Sequence, residues 1–83
     1  MTETGTLEGH VREKDGVAGA MVAVLGTSLV AVTNIKGFYR IVGVPAGEHD
    51  IQATDVMAKD TKSATITAGQ TTLVDFKISP LGG

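Results

Sequence analysis

An all-β fold, a seven-stranded antiparallel Greek-key β-sandwich, is predicted by three observations. Turn-forming residues recur about every seven to twelve positions, and the segments between them alternate with a period of two. No window sustains the 3.6-residue period of a helix. The stretch from Asn34 to Ile51 carries this pattern most clearly, with Tyr39, Ile41, Val44, His49 and Ile51 at the inward positions.

The first strand is predicted over residues 6–12, with Leu7, Gly9 and Val11 on one face and Thr6, Glu8, His10 and Arg12 on the other. Glu13-Lys14-Asp15-Gly16 turns the chain, Asp-Gly being expected to supply a positive φ. The second strand, residues 20–25, turns at Gly26-Thr27-Ser28 into the third, residues 29–33. After the turn Asn34-Ile35-Lys36-Gly37 comes the fourth strand, residues 38–43. Val44-Pro45-Ala46-Gly47 is expected as a tight turn that joins it, hairpin-fashion, to the fifth, residues 48–55, and residues 57–60 are expected to form a loop. The sixth strand covers residues 62–67, and Ala68-Gly69-Gln70 turns into the seventh, residues 72–79, where Pro80 ends the ladder. These turns are too short for parallel crossovers, so the sheets are expected to be mainly antiparallel.

Eighty-three residues fit one domain, residues 1–83 with a core from about 5 to 79. A chain of this size buries only about 60–65% of its unfolded surface. No cysteine offers a disulfide or a thiolate, and the aromatics are only Phe38, Tyr39 and Phe76, so the core is expected to be mainly Val, Ile, Leu and Ala. The net charge is −2 and the basic residues are scattered singly, which argues against a nucleic-acid footprint. The longest apolar run, residues 20–32, is short and interrupted by Gly26, Thr27 and Ser28, so no membrane insertion is expected.

An ordered set of short motifs resembles the carboxypeptidase regulatory-like domain family, whose fold is a transthyretin-like β-sandwich. The set begins with Gly9-x-Val11, then Gly19-Ala20-x-Val22-x-Val24-x-Gly26-Thr27 and Val32-Thr33-Asn34-x-x-Gly37-x-Tyr39-x-Ile41. It continues with Val44-Pro45-Ala46-Gly47-x-His49-x-Ile51, Ile66-x-Ala68-Gly69-Gln70 and Val74-Asp75-Phe76. The resemblance implies an accessory or structural module without catalytic residues of its own. Asn34 stands where that family usually has Asp, and either side chain makes the local bond that sets the turn. His49 stands where Tyr is usual, and a half-buried histidine bonded to backbone is the expectation there. Met57-Ala58-Lys59-Asp60 replaces a Gly-aromatic pair.

The chemistry-bearing residues do not compose a site. Ser28, Ser63 and Ser79 lack a strained glycine-flanked elbow. His10 and His49 lack a metal-ligand spacing. Asp50, Asp55 and Asp60 are spread over a strand and a loop, unlike the gathered ligands of a calcium loop. No cofactor, metal, small-molecule substrate or enzymatic activity is expected. In related sandwich folds a lysine is cross-linked between the first and last strands. Here the first strand has no lysine, and Asp75 alternates outward from Val74, Phe76 and Ile78.

The second to fourth strands are apolar on both faces. Met21, Ala23 and Leu25 alternate outward on the second strand, Phe38, Arg40 and Val42 do so on the fourth, and Leu29-Val30-Ala31-Val32 is apolar either way. If these strands adjoin, the six named residues form a protein interface, unless the N-terminal segment or the Met57 loop covers them. The expected function is therefore a structural assembly protein whose partner is a protein, itself or a larger lattice. One concrete form is a decoration or cement protein of a virus particle, since no secretory signal opens the chain and a complete short protein is expected. The alternative is an accessory module of a secreted or cell-surface protein. A carbohydrate-binding module has only Phe38 as an outward aromatic.

Overall fold

In the computed structural model, which describes residues 3–13, 16–56 and 58–78, all regular structure is β. The strands are β1 (Thr4–Arg12), β2 (Met21–Val24), β3 (Val30–Val32), β4 (Phe38–Pro45), β5 (Gly47–Asp55), β6 (Ala58–Ile66), β7 (Thr71–Leu73) and β8 (Phe76–Lys77). One sheet has the order β4-β1-β7, with β8 also on β1; the other has the order β3-β2-β5-β6. Alternation builds the core between them. Leu7, Val11, Tyr39, Ile41, Val44, Phe76 and Ile78 come from the first sheet, and Val22, Val24, Ile51, Ala53 and Ile66 from the second.

One expectation about topology is corrected. The segment joining β4 to β5 is not a hairpin, because β4 pairs with β1 and β5 pairs with β2 and β6. The chain crosses between sheets there as an arch. Pairing is mainly antiparallel, as expected, and the exceptions are β7 and β8, which run parallel to β1. Short turns rule out a parallel crossover between consecutive strands only. Here the first and last strands meet after the chain has passed through both sheets.

The seventh predicted strand is interrupted at Val74 and Asp75, yet it holds the same register against β1 on both sides of the break. One backbone bond persists there, from the Val74 amide to the Glu8 carbonyl, and side chains supply the rest. The Tyr39 hydroxyl donates to the Val74 carbonyl at 2.5 Å, and the His10 amide donates to Asp75 Oδ1 at 2.9 Å. Gly9 makes the Tyr39 bond possible. It pairs with Tyr39, and a Cβ on it would stand 1.9 Å from the Val74 carbonyl oxygen.

Other boundaries shift for local reasons. β4 runs past Gly43 to Pro45, because Gly43 takes a φ of 73° opposite the irregularity between Gly5 and Leu7. β6 begins at Ala58, so Ala58, Lys59 and Asp60 pair with β5 instead of forming a loop, and Met57 lies outside the described residues. Of the turn expected at Glu13-Lys14-Asp15-Gly16, residues 14 and 15 lie outside the described residues, while Gly16 is described. It is needed for space, since its Cβ would lie 1.9 Å from the Lys36 carbonyl oxygen. Asn34 behaves as its turn requires: Oδ1 accepts the amides of Lys36 at 2.9 Å and Phe38 at 3.0 Å.

Replacing Tyr39 with Phe should cost about 1–3 kcal/mol in urea unfolding, because it leaves the buried Val74 carbonyl unsatisfied. The pH profile gives an independent check. Burial first, and the Asp75 charge second, hold the Tyr39 phenol well above its ordinary value. A group whose folded pKa is raised stabilises fully below its unfolded pKa, near about 10 for tyrosine. That contribution is lost as pH climbs further, so wild-type stability should fall above about pH 10 more steeply than that of the Tyr39→Phe variant.

Candidate functional site

The six residues expected to share one interface are divided between opposite faces of the molecule. Met21, Ala23 and Leu25 lie on or next to β2 in one sheet; Phe38, Arg40 and Val42 lie on β4 in the other. Alternation assigns inward and outward correctly but carries no information on which sheet a strand joins. Phe38 is half-buried, its ring edge-on to His10 at 5.3 Å between centroids. Arg40 pairs with Glu8 across β1 at 3.2 Å. Val42 is exposed beside Gly43.

The apolar face is built by β2 together with β3. Their register sets Met21 beside Val32 and Ala23 beside Val30. Met21, Val30 and Val32 are 51%, 51% and 63% exposed. Leu25, expected to end the strand, sits in the following turn and is also exposed. Val30 and Val32 were not among the six expected residues. Their signal is legible in retrospect: a short turn at Gly26-Thr27-Ser28 makes β3 the hairpin partner of β2, and alternation then sends Leu29 and Ala31 inward.

Polar residues bound the patch on the β5 side. Thr54 lies opposite Met21 and Gln52 opposite Ala23, while Asp50 accepts a hydrogen bond from Ser63 at 2.9 Å. β2 and β3 carry no charge. Of the segments expected as possible covers, residues 1, 2 and 57 lie outside the described residues. β1 starts at Thr4 in the opposite sheet, and residues 58–60 are paired to β5. The described residues thus leave this face open to solvent.

The candidate chemical groups are scattered. His49 Nε2 is 2.7 Å from the Pro45 carbonyl, tying the arch between β4 and β5 as a half-buried histidine bonded to backbone. His10 lies on the outer face of the other sheet, its Nδ1 3.9 Å from Asp75 Oδ1. Ser63 is bonded to Asp50, Asp60 accepts the Thr61 amide, and Ser79 lies outside the described residues. Among the described residues no group of three His, Cys, Asp or Glu side chains is placed to hold a metal ion. Lys62 Nζ donates to the Asp75 backbone carbonyl at 2.7 Å, while the Asp75 carboxylate turns to the His10 amide.

Truncating His49 to Ala should therefore cost about 1 kcal/mol through loss of one net hydrogen bond, measured by urea denaturation. A chelator should leave the unfolding midpoint of the wild-type chain where it was.

Residues 6–79 match the family model of the carboxypeptidase regulatory-like domain. A comparison with curated proteins finds no match. Among solved structures, a chain of an N-terminal interface mutant of the type II cohesin-X-dockerin complex from Acetivibrio cellulolyticus superposes with a TM-score of 0.78 at 20% identity, covering 92% of this chain and 58% of that one. The TIE protein of Bacillus anthracis gives 0.75 at 20% identity, over 94% of this chain and 17% of that one. Likenesses at these identities establish a shared β-sandwich fold. In both cases this chain spans less than two thirds of the other's length.

Proposed function

The chain belongs to the carboxypeptidase regulatory-like domain family, and on that premise we propose that it is a structural assembly protein that binds protein through the outer face of β2 and β3. Domains of this family are non-catalytic modules. One observation carries the reading: Met21, Val30 and Val32 stand side by side, each at least half exposed, on a surface without a charge. Contiguous apolar area of this kind on a small domain marks a contact surface, whereas single exposed apolar residues are ordinary. Val42, Leu73 and Val56 are of the second sort, being spread over other parts of the molecule.

The partner is a further copy or a larger lattice, and decoration of a virus particle is one concrete form of that role. A second reading keeps the same face but places the chain in a longer polypeptide, as an accessory module steadying a neighbour. The partial coverage of the longer chains it superposes on favours that reading.

Light scattering after size exclusion tests the face directly. Met21→Glu together with Val32→Glu should abolish association while circular dichroism and urea unfolding stay close to wild type. Val42→Glu, on the opposite sheet, should leave association unchanged. Equal effects of the two changes would remove the β2–β3 face from the account.

A further inference from the structure

We propose that β3 is the pairing edge for a second copy of this chain, joined antiparallel about a two-fold axis through Ala31; this rests on the β2–β3 face being a contact surface and names the partner that continues that face across the sheet edge. The direction of the β3 backbone is the first observation. Val24 donates to the Leu29 carbonyl and Thr33 to the Ala20 carbonyl, and between these bonds lie the pairs Met21 with Val32, Val22 with Ala31 and Ala23 with Val30. Opposed residues in an antiparallel ladder alternate between bonded and non-bonded pairs. Val22 and Ala31 are therefore a bonded pair, and the N–H and C=O groups of Val30 and Val32 point away from β2. Among the described residues β3 pairs with β2 alone.

The second observation is how the sheet edges differ. β6 carries Lys59, Asp60 and Lys62 along its length. β4 has Arg40 and ends in Pro45. The β7–β8 edge is flanked by Asp75 and Lys77. Charges and proline are the usual protection of an edge strand against pairing. β3 is Val30-Ala31-Val32 and has neither.

Self-complementarity is the third. An axis at Ala31 sets Val30 opposite Val32 of the second copy, and Val32 opposite its Val30. Both outward-directed residues then fall at bonded positions, giving four backbone hydrogen bonds in an isologous contact. A slip of one residue would set an outward-directed residue against Ala31, whose groups already serve Val22. On the outer face the pairing joins the two Met21, Ala23, Val30 and Val32 sets into one apolar strip, and no like charges meet. Strand addition of this kind takes its affinity from main-chain bonds. A three-residue strand falls short of the roughly 1,600 Å² of a standard stable interface, so the pairing is concentration-dependent.

Amide hydrogen exchange on the full chain, from micromolar to millimolar concentration, tests this. The Val30 and Val32 amides should slow at least about tenfold as the chain associates, while the Ala31 amide is protected throughout. Val32→Pro deletes an outward N–H and two of the four bonds, so association should weaken at least about tenfold with the fold kept. Should that variant fail to fold, exchange in the wild-type chain decides alone. Association that Met21→Glu abolishes, with Val30 and Val32 amides exchanging at one rate at every concentration, overturns the edge pairing and keeps the face. Association indifferent to Met21→Glu and to Val32→Glu overturns the face itself. A chain that stays monomeric at millimolar concentration overturns the pairing.

Discussion

The hydrogen bond from the Tyr39 hydroxyl to the Val74 carbonyl is the contact on which the first sheet depends. β1 is central to that sheet, and the final strand reaches it from the far end of the chain, where nothing local fixes its register. Tyr39 fixes it by reaching from β4, across β1, to the strand on the other side. The reach needs an empty position on β1, and Gly9 provides one, since any Cβ there would collide with the carbonyl that Tyr39 binds. Val74 also donates its amide to the Glu8 carbonyl at 2.8 Å. With Val74 held from two directions, Phe76 and Ile78 are delivered into the core, and Asp75 is left outside to bind the His10 amide.

A sandwich closed this way sends the chain between its sheets twice in quick succession. The Asn34 turn carries it from β3 to β4, and the arch at Pro45-Ala46-Gly47 carries it back from β4 to β5. The consequence for function is spatial. One outer face holds the Glu8–Arg40 pair, His10 and Asp75, and is polar along much of its width. The other is divided, with polar β5 and β6 on one half and uncharged β2 and β3 on the other. A surface that is apolar over one edge hairpin and polar beyond it has a boundary, and a boundary gives a contact its orientation.

Most of the core was legible in the sequence because alternation is a local property. Leu7, Val11, Tyr39, Ile41, Val44, Ile51, Phe76 and Ile78 are inward as their spacing requires, and His49 sits half-buried on a backbone carbonyl. The sheet to which β4 belongs was not legible. Phe38, Arg40 and Val42 alternate outward in either arrangement, and only the arch geometry separates their face from that of Met21. The break in the last strand was hidden for a related reason: it is repaired by Tyr39 and His10, which are distant in sequence. Gly16 shows the same limit. Its place in an Asp-Gly turn is plain in the sequence, but the Lys36 carbonyl that a Cβ on it would strike is not.

The central claim is that the face shared by Met21, Val30 and Val32 is where this module meets protein. Methyl relaxation in the presence of a soluble paramagnetic agent, followed over a dilution series, measures it most directly. The account predicts that the methyls of Met21, Val30 and Val32 lose exposure as concentration rises, while those of Val42 and Leu73 do not change. Loss of exposure at Val42 or Leu73, with Met21 and Val32 unchanged, would contradict it.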